Sequence, residues 1–432
     1  MAIPPGVRAR SSAGERLAYV IPFHENLGVA KVGATRTMNP RSHVHVILSE
    51  NVPPTWGGVA RVAFSLGQAL GEDGYEVLLC GFDRYVADPL YRAAPFAVEA
   101  IPSRGWKRRK DWTMVVLLFR LWRRYRGRQV VLYALTWKLA RVTQMIARRL
   151  GWRLVIFVHG LEVTRWGSGP KHGAMLAAFR AADLCLGVSR FSADLLIEAG
   201  IPRERVQVLN NGVDTAYFHP VTDGEELERI HELRRRLGGD DHVLILTLAR
   251  VIERKGQDMV IRALAELQAR RPEIVGGARY VIAGRGPEGE LQRLQRLADN
   301  LGVTDAVVFW GYVAAGEMRI FYNACDVYVM ASRVVAGQDV EGFGITFLEA
   351  AACAKPVIGG RSGGVPDAIA DEETGFLVNP DDPRELAERL ERLIADPDLR
   401  RRMGDAGLSR VRERFTIHAV KDRLIELLEA VP

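Results

Sequence analysis

The sequence has few cysteines and no arrangement of them that indicates a metal site or a disulfide framework. Its 432 residues include four cysteines, Cys80, Cys185, Cys325 and Cys353. They lie far apart in apolar stretches and form no C-x-x-C pair. Isolated cysteines in apolar surroundings are typical of reduced core residues. We therefore expect a cytoplasmic protein that binds no structural metal.

Long apolar runs are also missing. No segment approaches the roughly 18 apolar residues that a membrane-spanning helix needs. The N-terminus carries charges and prolines but lacks the apolar core of a signal peptide. We expect a protein that is neither secreted nor membrane-spanning. Residues 1–42 mix Pro, Gly, Arg and Ser, and we expect them to be either a disordered extension or the result of a start site assigned too far upstream.

Acidic residues are almost absent between Arg104 and Arg128, although the chain as a whole carries 52 of them and a net charge of only +7. In that stretch ten lysines and arginines accompany the single acid Asp111, and aromatic residues are interleaved with the cations. This combination is typical of an element that lies on an anionic membrane surface. The candidate lipid-contacting residues are Arg108, Arg109, Arg123 and Arg124.

A second interpretation of the basic stretch stays open. It is a solvated helix that packs Val115, Leu118 and Phe119 on its own domain and leaves the cations in water. The two interpretations differ in what covers the apolar side of the helix.

Apolar β-branched runs alternate with helical stretches twice along the chain. The first series begins at His43 and the second at Val243. Strands that alternate with helices predict parallel, doubly wound sheets, and 432 residues suit two domains better than one core. We predict a first Rossmann-like domain over residues 43–215, a charged linker over 216–240 and a second Rossmann-like domain over 241–415.

The second series contains the most informative segment of the sequence. Residues 327–330 suit a buried strand, and Gly342 and Gly344 permit a tight entry into the helix that follows. The first N–H groups of such a helix point at an anion, because the crevice beyond the strand ends of an open sheet is where phosphates bind. This part of the sequence therefore predicts a phosphate-binding loop.

Two carboxylates flank this loop. On one continuous helix Glu341 and Glu349 would lie about 80° apart, so they fit better with Glu341 in the loop and Glu349 inside the helix. Carboxylates on both sides of phosphate-binding amides suit a ligand that has hydroxyls on both sides of a phosphate. The pattern therefore indicates a nucleotide sugar.

These residues carry a resemblance to a known family. The segment from Ser332 to Ala350 is similar to the E-x7-E signature of retaining glycosyltransferase family 4, whose members have the two-domain GT-B fold. Ala249–Gly256 resembles the family's G-R-x4-K-G phosphate motif, and Thr55–Gly58 resembles its N-terminal glycine loop. Two departures exist, since Ala249 and Ala354 stand where the family usually has glycine.

The resemblance implies a fold and a set of roles. Two Rossmann-like domains would face each other across a cleft, and residues 416–432 would form a helix that returns to the first domain. The glycine pair Gly57 and Gly58 would approach the donor phosphates from the first domain. Val313 would contact the base through its backbone, and His159 would lie near the transferred sugar.

The resemblance also assigns the donor site. Arg250, Lys255 and the amides of Gly58, Ile345 and Thr346 would hold the diphosphate, together with the loop residues Phe343 and Gly344. Glu349 would bind the ribose hydroxyls, and Glu341 with His159 would address the sugar. The catalytic candidates are Arg250, Lys255, Glu341 and His159.

We therefore expect a hexosyltransferase that uses GDP-mannose or a UDP-sugar, similar to phosphatidylinositol mannosyltransferases and other bacterial enzymes of cell-envelope or polysaccharide biosynthesis. Its acceptor would be lipid-linked or a glycan, at the inner face of the membrane. No Asp-x-Asp triad suggests a metal-held diphosphate, so we expect no required cofactor. A nucleotide-sugar epimerase of the same fold is the alternative. A nucleic-acid binder is a remote one, because its cations would have to line a groove, and we expect no nucleic-acid partner.

Overall fold

The computed structural model describes residues 43–54, 57–102, 106–160, 163, 169–238, 241–335 and 339–430, without the side chains of 106–111. The predicted extension 1–42 lies outside the described residues. Within them, no helix is both long enough and apolar enough to span a bilayer.

The first half of the chain forms a seven-stranded sheet in the order β3-β2-β1-β4-β5-β6-β7, in which neighbouring strands pair in parallel. The strands are β1 (His43–Leu48), β2 (Glu76–Phe82), β3 (Ala97–Ile101), β4 (Gln129–Ala134), β5 (Arg153–Val158), β6 (Leu184–Gly187) and β7 (Val206–Val208). The α-helices are Gly58–Glu72, Asp83–Val86, Trp106–Arg124, Trp137–Leu150, Pro170–Ala181 and Arg190–Glu198.

The second half forms a six-stranded parallel sheet in the order β10-β9-β8-β11-β12-β13. The strands are β8 (Val243–Leu248), β9 (Ala278–Ala283), β10 (Val307–Gly311), β11 (Val327–Met330), β12 (Val357–Gly360) and β13 (Gly375–Val378). The α-helices are Gly224–Arg236, Gln257–Arg270, Pro272–Gly276, Glu288–Asn300, Met318–Ala324, Ile345–Ala352, Val365–Ala368, Pro383–Ala395, Pro397–Arg414 and Ile417–Ala430.

Both faces of each sheet are covered, which explains why the central strands are apolar at consecutive positions. In β1, Val44 and Val46 belong to one core cluster, whereas Ile47 belongs to another. In β8, Leu244 and Ile245 are divided in the same way. Helices on both faces of a parallel sheet define the predicted doubly wound architecture. The strand β3 was not predicted, because it is short, lies at the edge of the sheet and contains a glutamate in its sequence AVEAI.

The segment 216–240 is not the linker that the charge run predicted. It contains the helix Gly224–Arg236, and Ile230 and Leu233 of that helix are buried in a core cluster of the second sheet. The charges lie on the outer side of this helix, while two apolar residues three positions apart lie on its inner side. The charge run therefore marked an amphipathic helix rather than a connection.

The last helix, Ile417–Ala430, packs against the first sheet although it follows the second in sequence. Leu424, Leu427 and Leu428 are buried in a core cluster that also contains Ile47 of β1. Lys421 is buried and forms an ion pair with Asp73. The chain therefore crosses between the sheets twice, and the final helix ties them together.

Ala354, one of the two departures from the family pattern, has a left-handed backbone with φ of 56°. It ends the turn after the helix Ile345–Ala352, where glycine is favoured because it has no Cβ to clash. The substitution of glycine by alanine has therefore kept the conformation and added strain.

We expect Ala354→Gly to raise the free energy of unfolding by about 0.5 kcal/mol. Relief of left-handed strain gains about 1 kcal/mol or more, and the greater freedom of glycine in the unfolded chain takes back about half of it. Urea denaturation checks this, with Ala265→Gly inside the helix Gln257–Arg270 as a control that should lose about 1 kcal/mol. Equal losses for both variants would contradict the assignment of strain.

Candidate active site

The candidate site lies where the strand order of the second sheet reverses. The strands β8 and β11 are neighbours there, and their chain connections leave in opposite directions along the sheet. The crevice outside their carboxyl ends is the standard ligand position of such a sheet. The loop after β8 carries Arg250–Lys255, and the loop after β11 leads to Glu341–Gly344. The topology thus brings together two segments that are about ninety residues apart in sequence.

Glu341 is the centre of a buried charge cluster. Lys255 Nζ donates to Glu341 Oε2 at 2.6 Å, and Arg254 donates to the same oxygen. Arg254 Nε also lies 3.0 Å from Asp339 Oδ1. Both cationic side chains are at least nine-tenths buried, and the Glu341 side chain is 14% exposed. Two fixed cations therefore converge on one carboxylate at the floor of the crevice.

The pKa values in this cluster follow from competition between burial and charge. Burial acts to raise the pKa of Glu341, but Lys255 and Arg254 outweigh it and lower that pKa to about 2. Burial lowers the pKa of Lys255, against the raising influence of Glu341. The carboxylate is therefore firmly ionised, and its negative charge is what keeps two cations in a buried place.

The helix Ile345–Ala352 begins directly after this cluster. Gly344 precedes it with a left-handed φ of 93°, and the first N–H groups of a helix have no acceptor within the helix. The amides of Ile345 and Thr346 therefore belong to the end that favours an anion. Phe343 anchors the loop because its ring is buried and lies 6.1 Å from the ring of Phe415.

Glu349 lies inside this helix, as the spacing of the two carboxylates predicts, but it is not open to water. Its side chain is 1% exposed. The hydroxyl of Tyr322 donates to Glu349 Oε2 at 2.7 Å, and Arg61 forms an ion pair with Oε1. Both carboxylate oxygens of Glu349 are therefore engaged by protein side chains rather than open to the cleft.

The first domain supplies the opposite wall of the cleft. Gly57 and Gly58 are exposed at the start of the helix Gly58–Glu72. A methyl group added to Gly58 would lie 3.8 Å from Ile345 Cδ1. The glycine pair therefore faces the beginning of the second domain's helix. The neighbouring positions Thr55 and Trp56 lie outside the described residues.

His159 follows β5, at the same edge of the first sheet. Its Nε2 lies 3.2 Å from the carbonyl oxygen of Leu135, and its own carbonyl approaches the second domain so closely that a Cβ at Gly342 would lie 2.1 Å from it. The loop residues Leu161 and Glu162 lie outside the described residues. The structure therefore places His159 beside the loop of Glu341, across the cleft from the charge cluster.

Arg250 and Val313 are less constrained than the charge cluster. Arg250 is exposed, and its carbonyl accepts a hydrogen bond from Gln257 at 3.0 Å. Val313 is buried, while its neighbour Tyr312 is 47% exposed and lies under the guanidinium of Arg285 at 3.9 Å. Arg250 is therefore accessible to a ligand, whereas Val313 offers only its backbone.

Three residues of the site were missed by sequence reasoning. Arg254 reads as one member of an alternating charge run, yet it is buried on Glu341. Arg61 and Tyr322 carry no motif signal, because their partner Glu349 is distant in sequence. Arg254 could have been predicted, since it adjoins Lys255 in the phosphate motif. The contact of Arg61 with Glu349 joins two domains, and no local sequence pattern predicts such a contact.

The structure has the features of a GT-B glycosyltransferase. Two parallel doubly wound domains face each other across a cleft, with phosphate-suited loops on one wall and a glycine pair on the other. Family models agree with this class. Residues 56–217 match the model described as Glycosyltransferase Family 4, and residues 230–410 match the model described as Glycosyl transferases group 1. The chain belongs to this glycosyltransferase family.

Among its relatives is the GDP-mannose-dependent alpha-(1-6)-phosphatidylinositol monomannoside mannosyltransferase of Mycolicibacterium smegmatis. It is 38% identical over 277 residues, which are 64% of this chain and 69% of that protein. The D-inositol 3-phosphate glycosyltransferase of Acidothermus cellulolyticus is 36% identical over 231 residues, which are 51% of this chain and 48% of that protein.

Solved structures support the fold. Anabaena Alr3699/HepE in complex with UDP has a TM-score of 0.74 and 21% identity, and the match covers 90% of this chain and all of that one. The sucrose-phosphate synthase of Thermosynechococcus elongatus has a TM-score of 0.70 and 21% identity over 90% of this chain and 98% of that one. The expectation of a GT-B fold is confirmed.

The charge cluster predicts how stability depends on pH. Because the pKa of Glu341 is lowered to about 2 from about 4.3 in an unfolded chain, its ionised form stabilises the fold fully above about pH 5 and loses this effect as the pH falls toward 2. Glu341→Gln should therefore be less stable than the wild type at neutral pH. The difference should narrow below about pH 4.5.

Urea denaturation of both proteins from neutral pH to about pH 3.5 measures this difference. Glu228→Gln, at an exposed position of the helix Gly224–Arg236, is the matched control and should change the free energy of unfolding little. A difference for Glu341→Gln that stays constant over the whole range would contradict the assignment of an ionised, doubly paired carboxylate.

Proposed function

We propose that this glycosyltransferase moves a mannosyl group from GDP-mannose to a lipid-linked acceptor with retention of configuration. The observation that carries the proposal is the pair of buried cations, Arg254 and Lys255, held on Glu341 beside the first amides of the helix Ile345–Ala352. The choice of GDP-mannose and of a lipid acceptor follows the relative from Mycolicibacterium smegmatis, which is named for both.

The diphosphate would lie between the two walls of the cleft. The amides of Ile345 and Thr346 and the cations Arg250 and Lys255 would bind it from the second domain, and the backbone at Gly58 would approach from the first. Negative charge accumulates on the leaving diphosphate as the bond to the sugar breaks. Cations and amides that are already fixed stabilise that charge more than they stabilise the ground state.

Retention would follow from attack on the same face of the sugar. In this mechanism the acceptor hydroxyl approaches the face from which the diphosphate leaves, and a phosphate oxygen of the leaving group takes the acceptor's proton. Glu341 and His159 would then hold the sugar rather than attack it, since Glu341 is already engaged by two cations. The cations would stabilise the charge on the leaving diphosphate, as a metal ion does in other enzymes. We therefore propose that no cofactor is required.

The acceptor side of the proposal is supported by the basic helix, Trp106–Arg124. Its outward-facing residues Trp112, Val115, Val116 and Phe119 are all exposed, Trp112 by 75%. They are spaced as one helical stripe. Of the three residues that the solvated-helix interpretation packs on the domain, Leu118 is buried, whereas Val115 and Phe119 are exposed. An apolar stripe beside cations suits the interface of an anionic membrane.

The four candidate lipid-contacting arginines lie near the two ends of the basic helix. Arg123 and Arg124 are exposed near its end, where they can meet lipid headgroups. The side chains of Arg108 and Arg109 lie outside the described residues. We propose that the basic helix rests on the inner face of the membrane and brings the cleft to a lipid-borne acceptor.

A transfer assay tests the function directly. Incubation with labelled GDP-mannose and a bacterial lipid extract should move the label into the lipid fraction, and proton NMR of the product should give the same anomeric configuration as the donor. Conversion of the donor to an isomeric nucleotide sugar without acceptor would replace the proposal by an epimerase. An inverted linkage would reject the same-face mechanism.

Lys255→Ala should lower kcat by about a hundredfold, the size seen when one fixed donor of transition-state charge is removed. KM for the donor should change less, because the charge that Lys255 stabilises best develops during bond breaking. Steady-state kinetics with GDP-mannose measures both constants. A raised KM with unchanged kcat would mean that Lys255 only binds the ground state.

Replacement of Arg108, Arg109, Arg123 and Arg124 by Gln should reduce sedimentation with phosphatidylglycerol vesicles strongly. Each basic residue near an anionic surface contributes about 1 kcal/mol, and added salt should imitate the variant. Transfer to a lipid acceptor should fall, whereas GDP binding should stay unchanged because the donor residues lie elsewhere.

A control variant separates the basic helix from net charge. It changes four exposed arginines of the second domain to Gln, namely Arg384, Arg401, Arg402 and Arg412. This variant loses the same charge and should sediment like the wild type. Equal loss in both variants, or a wild type that ignores the vesicles at low salt, would reject the basic helix as a membrane contact.

A further inference from the structure

The ion pair between Arg61 and Glu349 joins the two domains at the carboxylate that the donor needs. Arg61 lies in the first turn of the helix Gly58–Glu72 of the first domain, three residues after Gly58. Glu349 lies in the helix Ile345–Ala352 of the second domain. The pair therefore bridges the cleft between the two domains.

The carboxylate of Glu349 is fully engaged in this arrangement. Tyr322, from its own domain, donates to Oε2, and Arg61 occupies Oε1. Glu349 is 1% exposed, so neither water nor a ligand reaches it while both partners stay. A ribose that donates its hydroxyls to Glu349 therefore needs one of these partners to leave.

Arg61 is the partner that can leave. Tyr322 is fully buried in the core of the second domain, whereas the Arg61 side chain is 24% exposed and belongs to the first domain. The Arg61 guanidinium, which is already partly exposed, can regain water when it leaves, whereas a displaced Tyr322 hydroxyl would stay buried without a partner.

We propose that Arg61 is a specificity-determining residue of the donor site: it holds the ribose-binding carboxylate of Glu349 in the empty enzyme, and the donor has to displace it. The inference rests on the proposed function, because it takes Glu349 as the ribose ligand. Arg61 keeps a buried carboxylate paired until a ligand with suitable hydroxyls replaces it. A ligand that cannot form hydrogen bonds to Glu349 does not displace Arg61 and therefore binds more weakly.

Calorimetry with GDP tests the competition. Arg61→Met should bind GDP at least about fivefold more tightly than the wild type, since the ligand no longer has to displace a charged partner from a buried carboxylate. In a Glu349→Gln background the same change should have no effect, because Arg61 then holds no charged partner. Arg61→Gln should act in the same direction as Arg61→Met, so the test does not depend on one variant's folding.

A second cross-domain pair supplies the matched control. Arg190 Nε donates to Asp367 Oδ1 at 2.6 Å and joins the same two domains through a pair that does not include Glu349. Arg190→Met should leave GDP affinity unchanged. Equal tightening by Arg190→Met would mean that domain opening alone, and not release of Glu349, explains the gain, and would overturn the proposal.

The remaining outcomes are equally decisive. Weaker GDP binding by Arg61→Met would make Arg61 a donor-binding cation instead of a competitor. An undiminished gain in the Glu349→Gln background would place its effect elsewhere. A wild type that binds neither GDP nor UDP would overturn the proposed function and this inference together, whereas a wild type that binds GDP with no gain in Arg61→Met would overturn the inference alone.

Discussion

Burial of negative charge at the end of the second sheet is the constraint on which the site depends. Glu341 and Glu349 are both largely removed from water, and each is stable there only because cations or hydroxyls engage it. A buried carboxylate without a partner would take up a proton. The two carboxylates therefore dictate where Arg254, Lys255 and Arg61 lie, and hence the shape and charge of the cleft.

The two carboxylates are engaged in different ways, and this difference organises the molecule. The partners of Glu341 come from its own domain, so the charge cluster is built within the second domain. The partner Arg61 of Glu349 comes from the first domain, so that pair depends on how the two domains meet. The close approach of Gly342 to the carbonyl of His159 lies at the same meeting of the domains.

Much of this could be predicted from sequence because the signals are local. The alternation of buried strands with helices gave both sheets, since strands covered on two faces must be apolar at consecutive positions. The glycine loop and the spacing of Glu341 and Glu349 located the phosphate-suited helix start. The edge strand Ala97–Ile101 was missed because it is short and partly polar. The helix Gly224–Arg236 was missed because its two buried residues stand among many charged ones.

The pairing of Glu349 with Arg61 was beyond sequence reasoning, because it is fixed by how two independently folded domains meet. Similarly, the exposure of Phe119 depends on which side of the basic helix packs against its own domain. The composition of that helix is compatible with packing of either side. Local patterns determine elements, and the placement of domains determines which charged residues meet.

A crystal structure of the enzyme with GDP bound tests the central claim most directly. We predict the β-phosphate within hydrogen-bonding distance of Lys255 Nζ and of the amides of Ile345 and Thr346, with the ribose hydroxyls on Glu349 in place of Arg61. A diphosphate bound away from the start of the helix Ile345–Ala352, or a ribose that leaves the pair of Arg61 and Glu349 intact, would contradict this account.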